Sequence, residues 1–194
     1  FYPRFWDDML LQVQDMPDNS GIFICSMSDL FGIGIPENWT RAVLAECSYR
    51  EDCRFYLLTK QPQNLLAWSP FPPNCYIGVS VTGLEDFDYL HPFCNVKATV
   101  KFLSIEPYLK QIYPGRPDIL KNVFDLAGVN WVIIGQQTPP SKKTQPKKFW
   151  IDAIEDACKK VDISYFEKNN LKSLLERDLI QQFPISYAGS AKKN

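Results

Sequence analysis

Apolar residues in this chain gather in six short runs: "GIFICSM" (21–27), "RFYLLT" (54–59), "CYIGVSV" (75–81), "VKFLSIE" (100–106), "NWVIIG" (130–135) and "ISYFEK" (163–168). Each is rich in β-branched or aromatic residues and is bounded by Pro, Gly, Asn or Asp, which predicts strands. Their near-continuous apolarity suits strands covered on both faces, as in a parallel sheet. Between them the period changes to that of a helix. "PENWTRAVLAEC" (36–47) sets Trp39, Val43, Leu44 and Cys47 on one face behind Pro36. "PDILKNVFDLAGV" (117–129) aligns Ile119, Leu120, Val123, Phe124 and Leu126 and stops at Gly128. "KKFWIDAIEDACKKV" (147–161) aligns Phe149, Ile151, Ile154, Ala157, Cys158 and Val161, with charges opposite. "PQNLLAW" (62–68) and "GLEDFDYLHPF" (83–93) are shorter helical candidates.

Strand followed by helix, repeated, implies right-handed crossovers and one parallel sheet. The expected fold is a single α/β domain, a parallel (β/α) partial barrel over residues 1–175, with residues 176–194 as a C-terminal extension. "SPFPPN" (69–74) reads as a rigid connector inside that domain.

The runs share a second property, which is that each ends in groups able to hydrogen-bond or carry charge. The first leads to Ser28 and Asp29, the second to Lys60, and the third to Ser80 and Thr82. The fourth reaches Glu106, the fifth Gln136 and Gln137, and the sixth Glu167 and Lys168. In parallel α/β folds the carboxyl ends of all strands lie on one side, where ligands bind. Alternation along "FLSIE" sends Leu103 and Ile105 one way and Ser104 and Glu106 the other. Glu106 is therefore expected to face a central cleft. A carboxylate there needs a cation, and Lys60 and Lys168 are the natural partners. Glu106, Lys60 and Lys168 are the candidate catalytic residues, and Ser28, Asp29, Ser80, Gln136 and Gln137 are the candidate ligand-binding set.

Composition narrows the function classes. The 194 residues carry a net charge of −1, so no global field draws the chain to nucleic acid or anionic membrane. A local patch remains: Lys142, Lys143, Lys147 and Lys148 crowd the loop after the fifth run, a candidate nucleic-acid contact. No apolar stretch is long enough to cross a bilayer. The six cysteines form no C-x-x-C, and several lie inside apolar runs, which predicts reduced thiols and a cytoplasmic protein. The lone His91 lacks ligand-spaced companions, so neither a zinc site nor a hydrolase triad is expected.

"SMSDLF", "LLTKQP", "PPNCYIGVSV", "FLSIEPYL", "NWVIIGQQ" and "ISYFEKNN" occur in order, from about Phe23 to Leu171. Together they resemble a phage-associated family of unknown function whose members often carry an N-terminal three-cysteine motif and are described as similar to radical S-adenosylmethionine proteins. The resemblance implies a TIM-barrel-like partial barrel. In a form carrying the motif it also implies S-adenosylmethionine and a [4Fe-4S] cluster held by three thiolates on one loop. In this chain none of the six cysteines has that spacing, and no cofactor is expected in the chain itself. Where the family tends to have a Gly-Gly-Glu-Ser run, this chain has Gly135, Gln136, Gln137 and Thr138. The expectation is the core of a radical-SAM-like enzyme, catalytically incomplete as it stands. The alternative is a non-catalytic barrel module that binds a partner or nucleic acid.

Overall fold

The computed structural model describes residues 3–87, 90–113 and 116–184, and one six-stranded sheet forms its centre. Strands β1 (Gly21–Ile24), β2 (Arg54–Thr59), β3 (Cys75–Ser80), β4 (Val100–Ile105), β5 (Trp131–Ile134) and β6 (Ser164–Glu167) lie side by side in sequence order. Every pairing is parallel, so all six carboxyl ends share one edge. Among the described residues β1 and β6 do not pair, and the sheet is open. All six expected strands are present. The first is three residues shorter than its apolar run, because Cys25 turns out of the strand at φ 55°.

Helices fill the connections. α1 (Asp7–Leu11) precedes β1, α2 (Glu37–Tyr49) joins β1 to β2, and a 3₁₀ run over Pro62–Trp68 joins β2 to β3. Two short helices, α3 (Leu84–Phe87) and α4 (His91–Cys94), stand where "GLEDFDYLHPF" predicts one. α5 (Pro117–Ala127) and α6 (Lys148–Lys160) carry the next two crossovers, and α7 (Lys172–Leu175) follows β6. α5 has Pro at its first turn and ends at Gly128. That glycine takes the left-handed φ of 63°, and its neighbour's N–H (Val129) returns to the Phe124 carbonyl. No helix among the described residues is long and apolar enough to cross a membrane.

The alternation of each strand divides the side chains between two faces. Phe55, Leu57, Ile77, Val79, Leu103, Ile105, Val132 and Ile134 point to the helices and join Val43, Cys47, Leu120, Phe124, Ile151 and Ile154 in the main core. Each fully buried aliphatic or aromatic side chain there contributes about 1.5–3 kcal/mol. Phe149 and Leu126, placed on the apolar faces by spacing, are instead 55% and 73% exposed. Phe149 stands in the first turn of α6 and Leu126 in the last turn of α5. The opposite face carries a second cluster of Tyr76, Val100, Phe102 and Trp131, with Tyr56, Leu58, Ile133 and Phe166 against it. Rings link β2 to β6 across this face: Tyr56–Tyr76 at 5.4 Å, Tyr56–Trp131 at 6.1 Å, Phe102–Trp131 at 5.7 Å and Trp131–Phe166 at 6.1 Å. Gly78 makes this layer fit. A Cβ there would meet the Phe102 ring at 2.2 Å, so the ring lies directly over the β3 backbone.

Two polar clamps tie the chain ends to the sheet. Arg50, after α2, donates to the carbonyls of Val13 (2.7 Å), Gln14 (2.8 Å) and Met16 (2.9 Å), pinning the N-terminal segment. Its guanidinium also holds Asp52 at 2.9 Å and keeps that carboxyl well below the usual carboxylate range. At the other end, residues 180–183 run antiparallel to β6. Glu167 N–H donates to the Ile180 carbonyl and Gln182 N–H to the Tyr165 carbonyl, and the Trp131 indole reaches the Gln182 carbonyl.

The buried thiols and phenols make the fold sensitive to alkali. Burial raises the pKa of Cys158 above the thiol value of 9.0 and pushes Tyr108 up to about 12 from 10.0. Tyr165 is raised by burial and then by the Glu167 charge, and Cys47 by its hydrogen bond to Cys75 and by burial. In the unfolded chain these groups release protons at lower pH than in the fold. Their stabilisation is complete below pH 9 and is lost as pH rises from 9.0 toward 12. Lys101, drawn down by burial, acts in the opposite direction but is one group against six, since burial raises Cys25 and Cys53 as well. The free energy of urea unfolding is expected to be level from pH 7 to 8.5 and to fall steadily above 9. A level profile to pH 11 would contradict this account of the core.

Candidate functional site

Register places the inner face in tiers, from the amino edge of the sheet to the carboxyl edge. Leu58, Gly78, Phe102 and Trp131 are successive partners across β2 to β5. One tier higher, Ser80, Ser104, Ile133 and Phe166 are partners across β3 to β6. Glu106 and Gly135 follow just beyond β4 and β5, and Lys168 just beyond β6. An aromatic floor thus supports a hydroxyl tier, and above that lies a charged rim.

The rim is built around Glu106, whose side chain is 23% exposed. Its Oε2 accepts from Lys168 Nζ at 2.6 Å, and its Oε1 from Asn170 Nδ2 at 3.3 Å. The carboxylate lies just beyond β4 and the ammonium just beyond β6, so the pair must cross the end of β5. It does so over Gly135, where a Cβ would sit 2.7 Å from Glu106 Oε1. The backbone around Glu106 is fixed by Gly135 N–H donating to the Ile105 carbonyl (3.1 Å) and Tyr108 N–H donating to the Gly135 carbonyl (3.0 Å). Lys168 N–H donates to the Ile134 carbonyl at 2.9 Å, which sets the height of its side chain.

Asn170 organises the neighbouring strand end. Its Nδ2 donates to the Gln136 carbonyl at 2.7 Å, and its Oδ1 accepts from Gln136 N–H at 3.3 Å. Gln136 is buried, its Nε2 donates to the Asn170 carbonyl, and its Oε1 has no partner among the described residues. Gln137 is half-buried beside it.

The remaining candidates divide into two groups. Lys60 and Ser80 line one small cleft together with Pro62, Val79, Thr82 and Asp86. Asp86 Oδ2 accepts from Thr82 N–H (2.5 Å) and Thr82 Oγ1 (2.7 Å), joining two of the residues that line that cleft. Lys60 makes no ion pair with Glu106 among the described residues; of the two expected partners, Lys168 makes the contact. Asp29 is engaged locally. Its Oδ1 accepts from Phe31 N–H (3.0 Å), and its Oδ2 accepts from Thr59 Oγ1 and Lys60 N–H, both at 2.9 Å. Its carboxylate therefore joins the β1 turn to the end of β2. Ser28 is exposed in the same turn, its N–H donating to the Cys25 carbonyl at 3.0 Å.

Glu167, next to Lys168, points the other way. It is fully buried on the helix side, and Arg177 grips it with two bonds of 2.8 and 2.9 Å. In the lysine loop, Lys148 pairs with Asp152 at 3.0 Å and Lys147 lies over the Phe149 and Trp150 rings. Lys142 and Lys143 are exposed.

Sequence reasoning missed Asn170 and Gly135. Asn170 lies inside the quoted "ISYFEKNN", and a polar residue two places after a strand-end lysine is the signal that marks it.

The cysteines do not fit an iron–sulfur cluster. Cys47, Cys53, Cys75 and Cys158 are buried in the helix-side core, and burial or thiol contacts raise the pKa of Cys25, Cys47, Cys53 and Cys158, favouring the thiol over the thiolate a cluster needs. Among the described residues no group of three potential ligands converges on a metal position.

Comparison with curated proteins and with solved structures gives no match. Against family profiles, residues 3–174 match the one described as protein of unknown function, DUF5131, and the chain belongs to that family.

Proposed function

We propose that the carboxyl edge of the sheet is the ligand-binding mouth of a radical-SAM-like enzyme core, with Glu106 and Lys168 as its reactive pair. The observation that carries this reading is the crossing of Glu106 to Lys168 over Gly135. It gathers groups from β4, β5 and β6 at one point, above an aromatic floor. Open α/β sheets bind ligands outside their carboxyl ends. A carboxylate in salt bridge with a half-exposed ammonium gives the mouth both a proton acceptor and a proton donor.

S-adenosylmethionine is the cofactor this reading implies. Its cationic and hydroxyl groups would meet Glu106 and Gln137, with Asn170 orienting the carboxylate. When bound it supplies a reactive sulfonium. The chemistry that this chain's own residues add is binding, orientation and proton movement between Glu106 Oε2 and Lys168 Nζ.

The test is calorimetric titration of S-adenosylmethionine into the purified chain and into Glu106→Gln. The amide keeps the shape of the side chain and removes its charge. Saturable binding is expected for the wild type, and at least about tenfold weaker binding for the variant, the value of one charge-assisted contact. No saturable binding to either, or equal binding to both, removes the reading.

A further inference from the structure

The small cleft at the ends of β2 and β3 is lined by two opposite charges that do not neutralise each other. Lys60 and Asp86 both line it, and no ion pair joins them among the described residues. Both are anchored. Lys60 N–H donates to Asp29 Oδ2 at 2.9 Å, which fixes the lysine backbone at the end of β2. Asp86 Oδ2 accepts from Thr82 N–H and Thr82 Oγ1, and the Thr82 carbonyl accepts in turn from Leu109 N–H (3.0 Å) and Lys110 N–H (3.2 Å). Those bonds occupy one carboxylate oxygen. Asp86 Oδ1 and Lys60 Nζ have no partner among the described residues. Other charges nearby are committed: Lys110, whose stem lies against Gly83, pairs with Glu85 at 2.8 Å, and Glu106 holds Lys168.

A cleft lined by a free ammonium and a free carboxylate oxygen is complementary to a ligand that carries both charges. A lone anion would meet the Asp86 carboxylate, and a lone cation the Lys60 ammonium, each at a repulsive cost. Size narrows the class further. The cleft measures about 170 Å³. A cavity of about 150 Å³ takes one benzene, so this one takes a ligand of about six to eight non-hydrogen atoms. From charge and size together we infer that the Lys60–Asp86 cleft binds a small α-amino acid, its carboxylate on Lys60 Nζ and its ammonium on Asp86 Oδ1. Pro62 and Val79, which also line the cleft, offer apolar surface to a short side chain. The inference goes beyond the reading of Glu106 and Lys168, which concerns groups that follow β4 to β6, and it stands on separate observations.

The experiment follows amide resonances while L-alanine, sodium acetate and ethylammonium chloride are titrated separately into the full chain at matched ionic strength. Acetate and ethylammonium each carry one of alanine's two charges. Saturable shifts at Lys60, Ser80–Thr82 and Asp86 are expected with L-alanine, and at least about tenfold weaker binding with either single-charge probe. The wild-type comparison decides the point without a variant. Two variants then assign the charges: Lys60→Gln should erase the preference for alanine over ethylammonium, and Asp86→Asn the preference for alanine over acetate. If L-alanine does not saturate, or binds no tighter than acetate or ethylammonium, the inference is overturned. Variants that keep both wild-type preferences overturn it equally. Displacement of alanine by S-adenosylmethionine would give the cleft to that ligand and defeat its assignment to a separate amino acid. Alanine binding in a chain that does not bind S-adenosylmethionine sinks the cofactor reading and leaves the cleft assignment standing. The reverse result sinks the cleft assignment alone.

Discussion

Replacing Arg177 with alanine is expected to cost about 3–5 kcal/mol of stability, the usual consequence of stranding a buried charge. Glu167 is 0% exposed, and three donors hold its two oxygens besides the second arm of the arginine fork. Arg177 supplies bonds of 2.8 and 2.9 Å, Ile180 N–H donates at 2.8 Å, and the Tyr165 hydroxyl donates at 3.3 Å. Arg177 also reaches Glu155 at 3.1 Å, so its loss removes the guanidinium set between two acids. The glutamate cannot regain water without opening the β6 edge. In a domain of this size each kcal/mol moves the midpoint by about 2–4 °C, so the melting temperature should fall by roughly 10 °C. Removing both members together, as Glu167→Leu with Arg177→Leu, should be far milder, because the desolvation penalty disappears with the charge. Urea unfolding of the single and double variants decides the matter. A single-variant loss below 1 kcal/mol would show that the carboxylate is not dependent on its clamp.

The second large effect is functional. Gly135→Ala should weaken S-adenosylmethionine binding at least about tenfold, matching Glu106→Gln although no charged atom is touched. Gly135 does not take a left-handed φ, so alanine is compatible with its backbone. The added methyl would instead sit 2.7 Å from Glu106 Oε1, 3.0 Å from Cδ and 3.2 Å from Cγ. The carboxylate must swing off β5 and surrender Lys168. Overpacking of this kind costs about 1–3 kcal/mol, so the chain should remain folded. Lys168→Gln is the informative companion, since it breaks the same pair without crowding. Wild-type affinity in Gly135→Ala would mean that the crossing over β5 does not position Glu106 for the ligand.

Strand positions and the inward turn of Glu106 were legible because they depend on local pattern. Apolar runs bounded by Gly and Pro made the strands, and two-residue alternation oriented Ser104 and Glu106 away from Leu103 and Ile105. The same alternation, applied at β6, separates Glu167 from Lys168, although both are polar and adjacent at the strand end. Asp29 illustrates a different limit. A carboxylate after a strand reads alike whether it faces a ligand or closes a turn, and here Phe31, Thr59 and Lys60 take both of its oxygens. Gly78 and Gly135 were not legible as spacers, because their role depends on which residue of β4 lies opposite. That register is set by the whole sheet. Asn170 was passed over because its contacts reach back 34 residues to Gln136 and 64 to Glu106. Exposed Phe149 and Leu126 show that helical spacing gives the direction of a stripe better than its width.

The central claim is that the carboxyl edge of the sheet, and no other surface, is where this protein takes its ligand. Residue-resolved amide shifts during an S-adenosylmethionine titration test it most directly. The largest shifts are expected at Ile105–Glu106, Gly135–Gln137 and Lys168–Asn170. Shifts confined to the amino edge, around Gly21, Arg54 and Trp131, or to the outer faces of α2, α5 and α6, would contradict it.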